Sequence, residues 1–317
     1  FDRDLLIQSG QFFARHSTFK KLAIASTVGR LRLIGNTISQ LVLPDYQTVA
    51  NDWLVHAESA RTDTHCVKPD PMIFPRPAGD SVYAVTDFGA CTNNPDNAAA
   101  FQRALDAAKK TGGTVYVPAG LYAFRQNLVV PRGVELRGSS DVPYHTISGG
   151  AILMPYHNRN VEQGNAFIQL SRGSGVRGVT VWYPEQVTTN AVPYPWSIQA
   201  QGPDCWVVDV VIGNAWQGVD FATYPSAGHR INYLAGGFIR RGLFVGNAKG
   251  RGWVEDVQFN PHYLSRLDAR IQRVSVPPCT GERVIELQRR QLEGLVFSNC
   301  SDEQIRGTFV YAANHGI

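Results

Sequence analysis

The chain has 317 residues, is 44% hydrophobic and 18% charged, and carries 30 glycines with a formal net charge of +4. This composition excludes a disordered or collagen-like chain, and a length above the roughly 100 to 200 residues usual for one domain predicts one large and one small module. No run approaches the ~18 apolar residues of a membrane helix, and no signal-peptide pattern opens the sequence.

Of the 30 basic residues, 24 are arginine, whose planar fork suits carboxylate, sulfate or phosphate. The charges form no dense patch, which argues against nucleic acid as a partner. The five cysteines, Cys66, Cys91, Cys205, Cys279 and Cys300, have no metal or redox spacing. Pairing of Cys66 with Cys91, or of Cys279 with Cys300, would suit an exported protein. Because it begins at Phe1 and not at Met, the chain is expected to be a processed mature form or a fragment.

In chain order, residues 1–66 hold short alternating runs ("LAIAS", "RLRLIG", "WLVHA") that predict antiparallel strands in a small sandwich-like accessory module. Residues 67–81 contain four prolines and no periodicity, and read as a linker. In "DNAAAFQRALDAAKKTGG", Asp96 or Asn97 caps a helix over 97–110 whose apolar face is Phe101, Leu105 and Ala108, and Gly112 and Gly113 end it.

That helix is the one strong helical pattern between 82 and 317, so a parallel α/β domain, which needs a crossover helix between strands, does not fit. Instead "VRGVTVWY", "VVDVVIGN", "INYLAGGF", "VEDVQFNP" and "LEGLVFSN", starting at Val176, Val207, Ile231, Val254 and Leu292, superimpose. The spacing predicts a solenoid of stacked strand-and-corner coils, with Asn214 and Asn299 in an internal amide ladder. The helix caps its first coil, and the solenoid is expected to stop in mid-stack at residue 317.

The run from Val85 to Ser140, with Asp87-Phe88-Gly89-Ala90, the helix, Val117-Pro118-Ala119-Gly120 and Leu136-Arg137-Gly138, resembles the pectate lyase-like superfamily. The resemblance covers about residues 82–317 and implies an all-β, right-handed parallel β-helix with an N-terminal capping helix. It implies glycosidase, lyase, epimerase or tailspike chemistry, since members share the coil and vary the site. The polygalacturonase residue set is absent: Gly228-His229 is followed by Arg230, and there is no Asn-Thr-Asp strand.

Glycoside hydrolysis needs a carboxyl pair within roughly 5 to 10 Å, and neighbouring coils about 4.8 Å apart supply that spacing readily. The expected catalytic residues are Asp220, Glu255 or Asp256, and His229; Glu255 and Asp256, adjacent on a strand, point to opposite faces. Glu185, Arg230, Arg240 and Arg241 are expected to bind substrate. Tyr194, Trp196, Trp216, His262 and Tyr263 are the expected sugar platform, with Trp182, Tyr183 and Trp206 beside them.

These residues point to a secreted glycoside hydrolase acting on a polysaccharide, without metal or cofactor and without a nucleic-acid or membrane partner. A polyuronate lyase or epimerase is the second reading, for which calcium would be plausible. A glycan-binding adhesin or spike is the third.

Overall fold

The computed structural model describes residues 4–8, 10–15, 17–25, 28–43, 52–57, 75–140, 142, 146–147, 149–266, 269–277 and 280–317. The chain divides into two compact units, Phe1–Met72 and Ile73–Ile317. Most of the proposed linker and both Cys66 and Cys279 lie outside the described residues, so the two proposed disulfides do too.

The first unit corrects the antiparallel expectation. Its strands β1 (Asp4–Ile7), β2 (Gly10–Arg15), β3 (Thr18–Ile24), β4 (Val28–Val42) and β5 (Asp52–Ala57) all pair in parallel. Asp4 faces Lys21, Thr18 faces Thr37 and Arg30 faces Asp52, so one turn takes 17 to 22 residues. This is itself a small two-faced coil. Phe19, Leu22, Leu31, Leu33 and Ile38 fill it, and buried Asn36 holds a corner by accepting from Ser17 N (2.9 Å) and donating to Ala14 O (2.8 Å). Period-two alternation marks a strand but not its neighbour's direction, and Gly and Asn serve hairpins and coil corners alike.

The second unit is a parallel β-helix built on one 17-stranded sheet system. After β6 (Val82–Ala84) and helix α1 (Ala98–Ala108), the first full coil is β7 (Gly113–Val117), β8 (Gly120–Phe124) and β9 (Leu128–Val130). The next two are β10 (Val134–Gly138), β11 (Ala151–Pro155), β12 (Ile168–Leu170) and β13 (Gly175–Arg177), β14 (Val179–Val181), β15 (Trp196–Ala200). Strands β16 (Trp206–Phe221) and β17 (Arg230–Gly246) each run through a whole coil, so three parallel sheets, here first, second and third, line the solenoid.

The corner from first to second sheet is one residue in the left-handed conformation, repeated coil after coil: Gly178 (φ 64°), Asp209 (52°), Tyr233 (55°), Asp256 (54°) and Gly307 (61°). Asp256 is therefore a corner residue, not a strand residue facing away from Glu255. Glycine is the unstrained choice there and aspartate is tolerated; a tyrosine is held by its surroundings.

The register confirms Val176, Val207, Ile231 and Val254 as stacked equivalents. The fifth repeat was misplaced, because Val254 faces Ile305 and not Leu292. The reason is an insertion after β18 (Lys249–Glu255) and β19 (Gln258–Phe259): helices α2 (His262–Ser265), α3 (Ala269–Gln272) and α4 (Gly281–Gln291) precede β20 (Glu293–Ser298). Then β21 (Ser301–Arg306) and β22 (Phe309–Val310) begin another coil. Helix α4 was missed; it packs only Val284 and Gln288 inward, leaving a mostly polar sequence. Of the proposed amide ladder, Asn299 donates to Asn247 (2.9 Å), whereas Asn214 holds both backbone groups of Tyr183.

Helix α1 caps the stack as its sequence predicts. Phe101 meets Tyr122 and Phe124 edge-on, and Asp96 accepts from the backbone of Ala98 and Arg125. Gln102 acts as a substitute strand: its amide donates to Val129 O (3.1 Å) and accepts from Val129 N (3.0 Å), closing the raw edge of β9. The outer face of the second sheet is covered too, with Ile152, Met154, Trp182, Val211 and Ala235 packed under Ile147, Tyr263 and Ile271. Among the described residues no helix is long and apolar enough to cross a membrane.

Candidate functional site

The expected acid pair is split between faces. Asp220 lies on the third sheet, facing Gln199 and Phe244 in the register, while Glu255 lies on the first sheet, facing Asn232 and Arg306. Asp220 is buried and committed, accepting from Gln199 Nε2 (2.8 Å), Ala222 N (2.8 Å) and Thr223 N (3.0 Å). It holds a corner. Glu255 is buried against the Arg306 guanidinium, and Arg230 stacks 3.2 Å from the Trp253 ring with its pKa lowered to about 10 by burial.

His229 is fully buried, with Nδ1 2.9 Å from Ser226 O and Nε2 3.1 Å from Glu303 Oε2. It reaches across Gly252, where a Cβ would lie 2.3 Å from the ring. A proton carrier needs access to substrate, so His229 is corrected to a structural residue. Most of the expected sugar platform is core for the same reason: Tyr194, Tyr263, Trp182, Tyr183 and Trp206 are buried, and Trp216 packs beneath α4. His262 sits on α2, its pKa lowered by burial and by Arg266, and Glu185 is exposed in the loop 182–195 near Tyr156 and Tyr194.

What remains accessible converges on the third sheet. Half-exposed Trp196, Arg241 and Glu293 share one register row with buried Gln217, in four successive coils. Each of the last three is followed by a glycine, Gly218, Gly242 and Gly294, and a Cβ on Gly242 would lie 2.4 Å from the Gly294 carbonyl. The three glycines therefore let neighbouring strands stack closely at this row. Trp196 and Phe244, both half-buried, meet at 5.4 Å between ring centroids, with the Arg241 guanidinium 5.4 Å from the Phe244 ring.

Arg241 links two carboxylates. Its Nε lies 3.4 Å from Glu293 Oε2 and its Nη1 4.0 Å from Glu162 Oε1, while Arg240 Nη1 is 3.4 Å from Glu293 Oε2. Flanking one guanidinium, the two carboxyls are no more than roughly 10 Å apart, within the range of a glycosidase pair. These contacts are longer than the 2.7–2.9 Å typical of a charge-assisted bond, so the guanidinium is not locked between them. Sequence reasoning found Trp196, Arg240 and Arg241 but missed Glu162, Gln217 and Glu293. The aligned pentads "QGVDF", "RGLFV" and "EGLVF" carried the signal for the last two.

Residues 82–202 match the family model described as Rhamnogalacturonase A/epimerase, pectate lyase-like. That stretch of the solenoid is similar to pectate lyase-like proteins. The chain is also similar to an iota-carrageenase complexed to iota-carrageenan fragments (17% identity, TM-score 0.40, 59% of this chain and 45% of that one). A 1,3-alpha-1,4-beta-D-galactose-4-sulfate-3,6-anhydro-D-galactose-2-sulfate 4 galactohydrolase gives 16%, 0.39, 63% and 49%, and Geobacillus virus E2 ORF18 gives 13%, 0.32, 56% and 36%. The chain thus spans half or less of the length of these proteins. None of the curated proteins matches it. Among the described residues, no three His, Cys, Asp or Glu side chains converge as metal ligands.

Proposed function

We propose that the third-sheet face holding Trp196, Arg241 and Glu293 is the active site of a carbohydrate-active enzyme that hydrolyses a polysaccharide, with Glu162 and Glu293 as its carboxyl pair. The observation that carries this reading is the pair of accessible glutamates on either side of Arg241, beside the Trp196 and Phe244 rings. One carboxyl protonates the leaving oxygen while the other activates water or attacks the sugar. Arg241 offsets the charge of the pair and offers donors to a sugar oxygen; the aromatic faces stack on the apolar face of a sugar ring. An open face along a solenoid suits a long polymer, and a polymer that cannot cross a membrane supports an extracellular location.

The second reading, a lyase or epimerase on a polyuronate, is favoured by Arg240 and Arg241 standing half-exposed on the same floor. Incubation with neutral and acidic polysaccharides separates the readings: reducing ends without ultraviolet absorbance mean hydrolysis, and both together mean elimination. Binding with neither leaves a glycan-binding protein or an epimerase. Glu162→Gln and Glu293→Gln should each lower hydrolysis by roughly 10²- to 10⁴-fold, the span of general acid–base catalysis. Full activity in both variants removes the assignment.

A further inference from the structure

The third-sheet row continues one residue past Glu293. His315 pairs with Glu293 in parallel register, so it stands one coil further on, about 4.8 Å along the stack. Four backbone bonds fix it there. Gly294 N donates to His315 O (2.8 Å) and Leu295 N to Gly316 O (2.9 Å), while Asn314 N (3.0 Å) and His315 N (3.1 Å) both donate to Leu292 O. The glycine at 294 permits this approach, since a Cβ there would lie 2.6 Å from the Gly316 carbonyl oxygen.

Register partners in this row meet through their side chains. Gln217 Oε1 accepts from Arg241 Nη1 (3.1 Å), and Arg241 Nε lies 3.4 Å from Glu293 Oε2. Partners in parallel strands project to the same face, so His315 extends the line on the side of Glu293 away from Arg241. Unlike Gln217, His315 is exposed. Its Nδ1 lies 3.1 Å from Asn314 Nδ2, and an amide nitrogen only donates, so Nδ1 accepts and the ring proton sits on Nε2. Glu293 Oε2 is taken up by Arg240 and Arg241, each 3.4 Å away. The Nε2–H group is thus a donor on an exposed ring, next in line to the carboxyl pair.

We propose that His315 is a substrate-contacting residue of this face, whose Nε2–H donates to an acceptor oxygen of the sugar unit next to the one held at Glu293. Trp196 and His315 end the row four coil spacings apart, about 19 Å, so a ligand that meets both is a chain of sugars and not a single unit. This inference rests on the carbohydrate reading above and adds a recognition group beyond the carboxyl pair.

The test is affinity electrophoresis of wild type, His315→Ala and His315→Gln through gels containing dextran, galactomannan, polygalacturonate or alginate. At least one polysaccharide should retard wild type, with Kd about tenfold higher for His315→Ala, the loss of one hydrogen bond. His315→Gln, whose amide offers a donor in place of Nε2–H, should recover most of that loss. On wild type, the same polysaccharide should slow carbethoxylation of His315 by diethyl pyrocarbonate. Mass spectrometry reads this on the tryptic peptide that follows Arg306, in which His315 is the only histidine.

Equal retardation of wild type and His315→Ala overturns the proposal and leaves the carbohydrate reading standing, as does carbethoxylation that the polysaccharide does not slow. A His315→Gln variant as weak as His315→Ala removes the donor role. No retardation of wild type in any gel overturns the proposal too, and the carbohydrate reading falls with it only if the hydrolysis panel is also negative. If retardation follows His315 while Glu162→Gln and Glu293→Gln still hydrolyse, the contact stands and the catalytic pair falls.

Discussion

The Gln217 side chain joins Arg241 to the loops that carry Glu162 and Tyr194. Its Oε1 accepts from Arg241 Nη1 (3.1 Å), and its Nε2 donates to the carbonyls of Glu162 (3.0 Å) and Tyr194 (3.2 Å). Gln217 is itself buried, so each bond substitutes for water that cannot enter. Gln217→Ala should leave two carbonyls and a guanidinium donor short of a partner, at about 1–3 kcal/mol. Thermal melting should show that loss, and kcat/KM should fall further than stability alone explains because Glu162 loses its anchor. A variant with wild-type melting and turnover would remove Gln217 from the framework.

Asp220 provides the contrasting case. With three hydrogen bonds to its two oxygens, Asp220→Asn leaves only one acceptor oxygen where Gln199 and the Ala222–Thr223 corner need two. The expected result is a melting temperature lower by several degrees with turnover per folded molecule unchanged. A turnover loss of 100-fold or more at unchanged stability would restore Asp220 as a catalytic group.

His229 and Glu303 belong to the stack and not to the third-sheet site. His229→Ala removes a buried ring that bridges Ser226 and Glu303 and touches Phe221 edge-on. The loss should be about 2–5 kcal/mol, as for a large buried side chain truncated to alanine. Denaturant unfolding measures it, and polysaccharide binding by the folded fraction should be unaltered. Weakened binding at native stability would contradict this placement.

Folding stability should depend on pH through His157, in the loop between β11 and β12. Its folded pKa lies below the ordinary 6.5, chiefly because burial disfavours the charged ring. The neutral ring's contribution is complete above pH 6.5 and is lost as pH falls through the lowered folded value, because the unfolded chain then binds the extra proton. Wild type should therefore lose more melting temperature than His157→Phe between pH 7.5 and 5. Parallel curves for the two proteins would show that His157 makes no such contribution.

The helix α1 and the stacked positions Val176, Val207, Ile231 and Val254 were legible because an amphipathic period and a repeated apolar register are local patterns. Leu292 was misassigned because the 260–292 insertion breaks the count between Phe259 and Glu293. The parallel pairing of residues 4–57 went unread, although "FFARHSTFKKLAIA" and "LRLIGNTISQLVLP" superimpose with the observed offset of Gln11 on Arg30. Tyr194 and Trp206 looked like a platform because exposure is not written in residue type.

The sequence by itself determined the solenoid: alternating apolar residues, corner glycines and aspartates, and one capping helix leave few other ways to bury the core. Only the tertiary structure decided which outward side chains meet. Glu162, Arg241 and Glu293 come from three different coils, and the distance between them depends on where each coil turns and how long its insertion is. The same geometry buried Asp220 and His229, because a polar residue at a corner with its bonds satisfied looks, in sequence, like one held ready for chemistry.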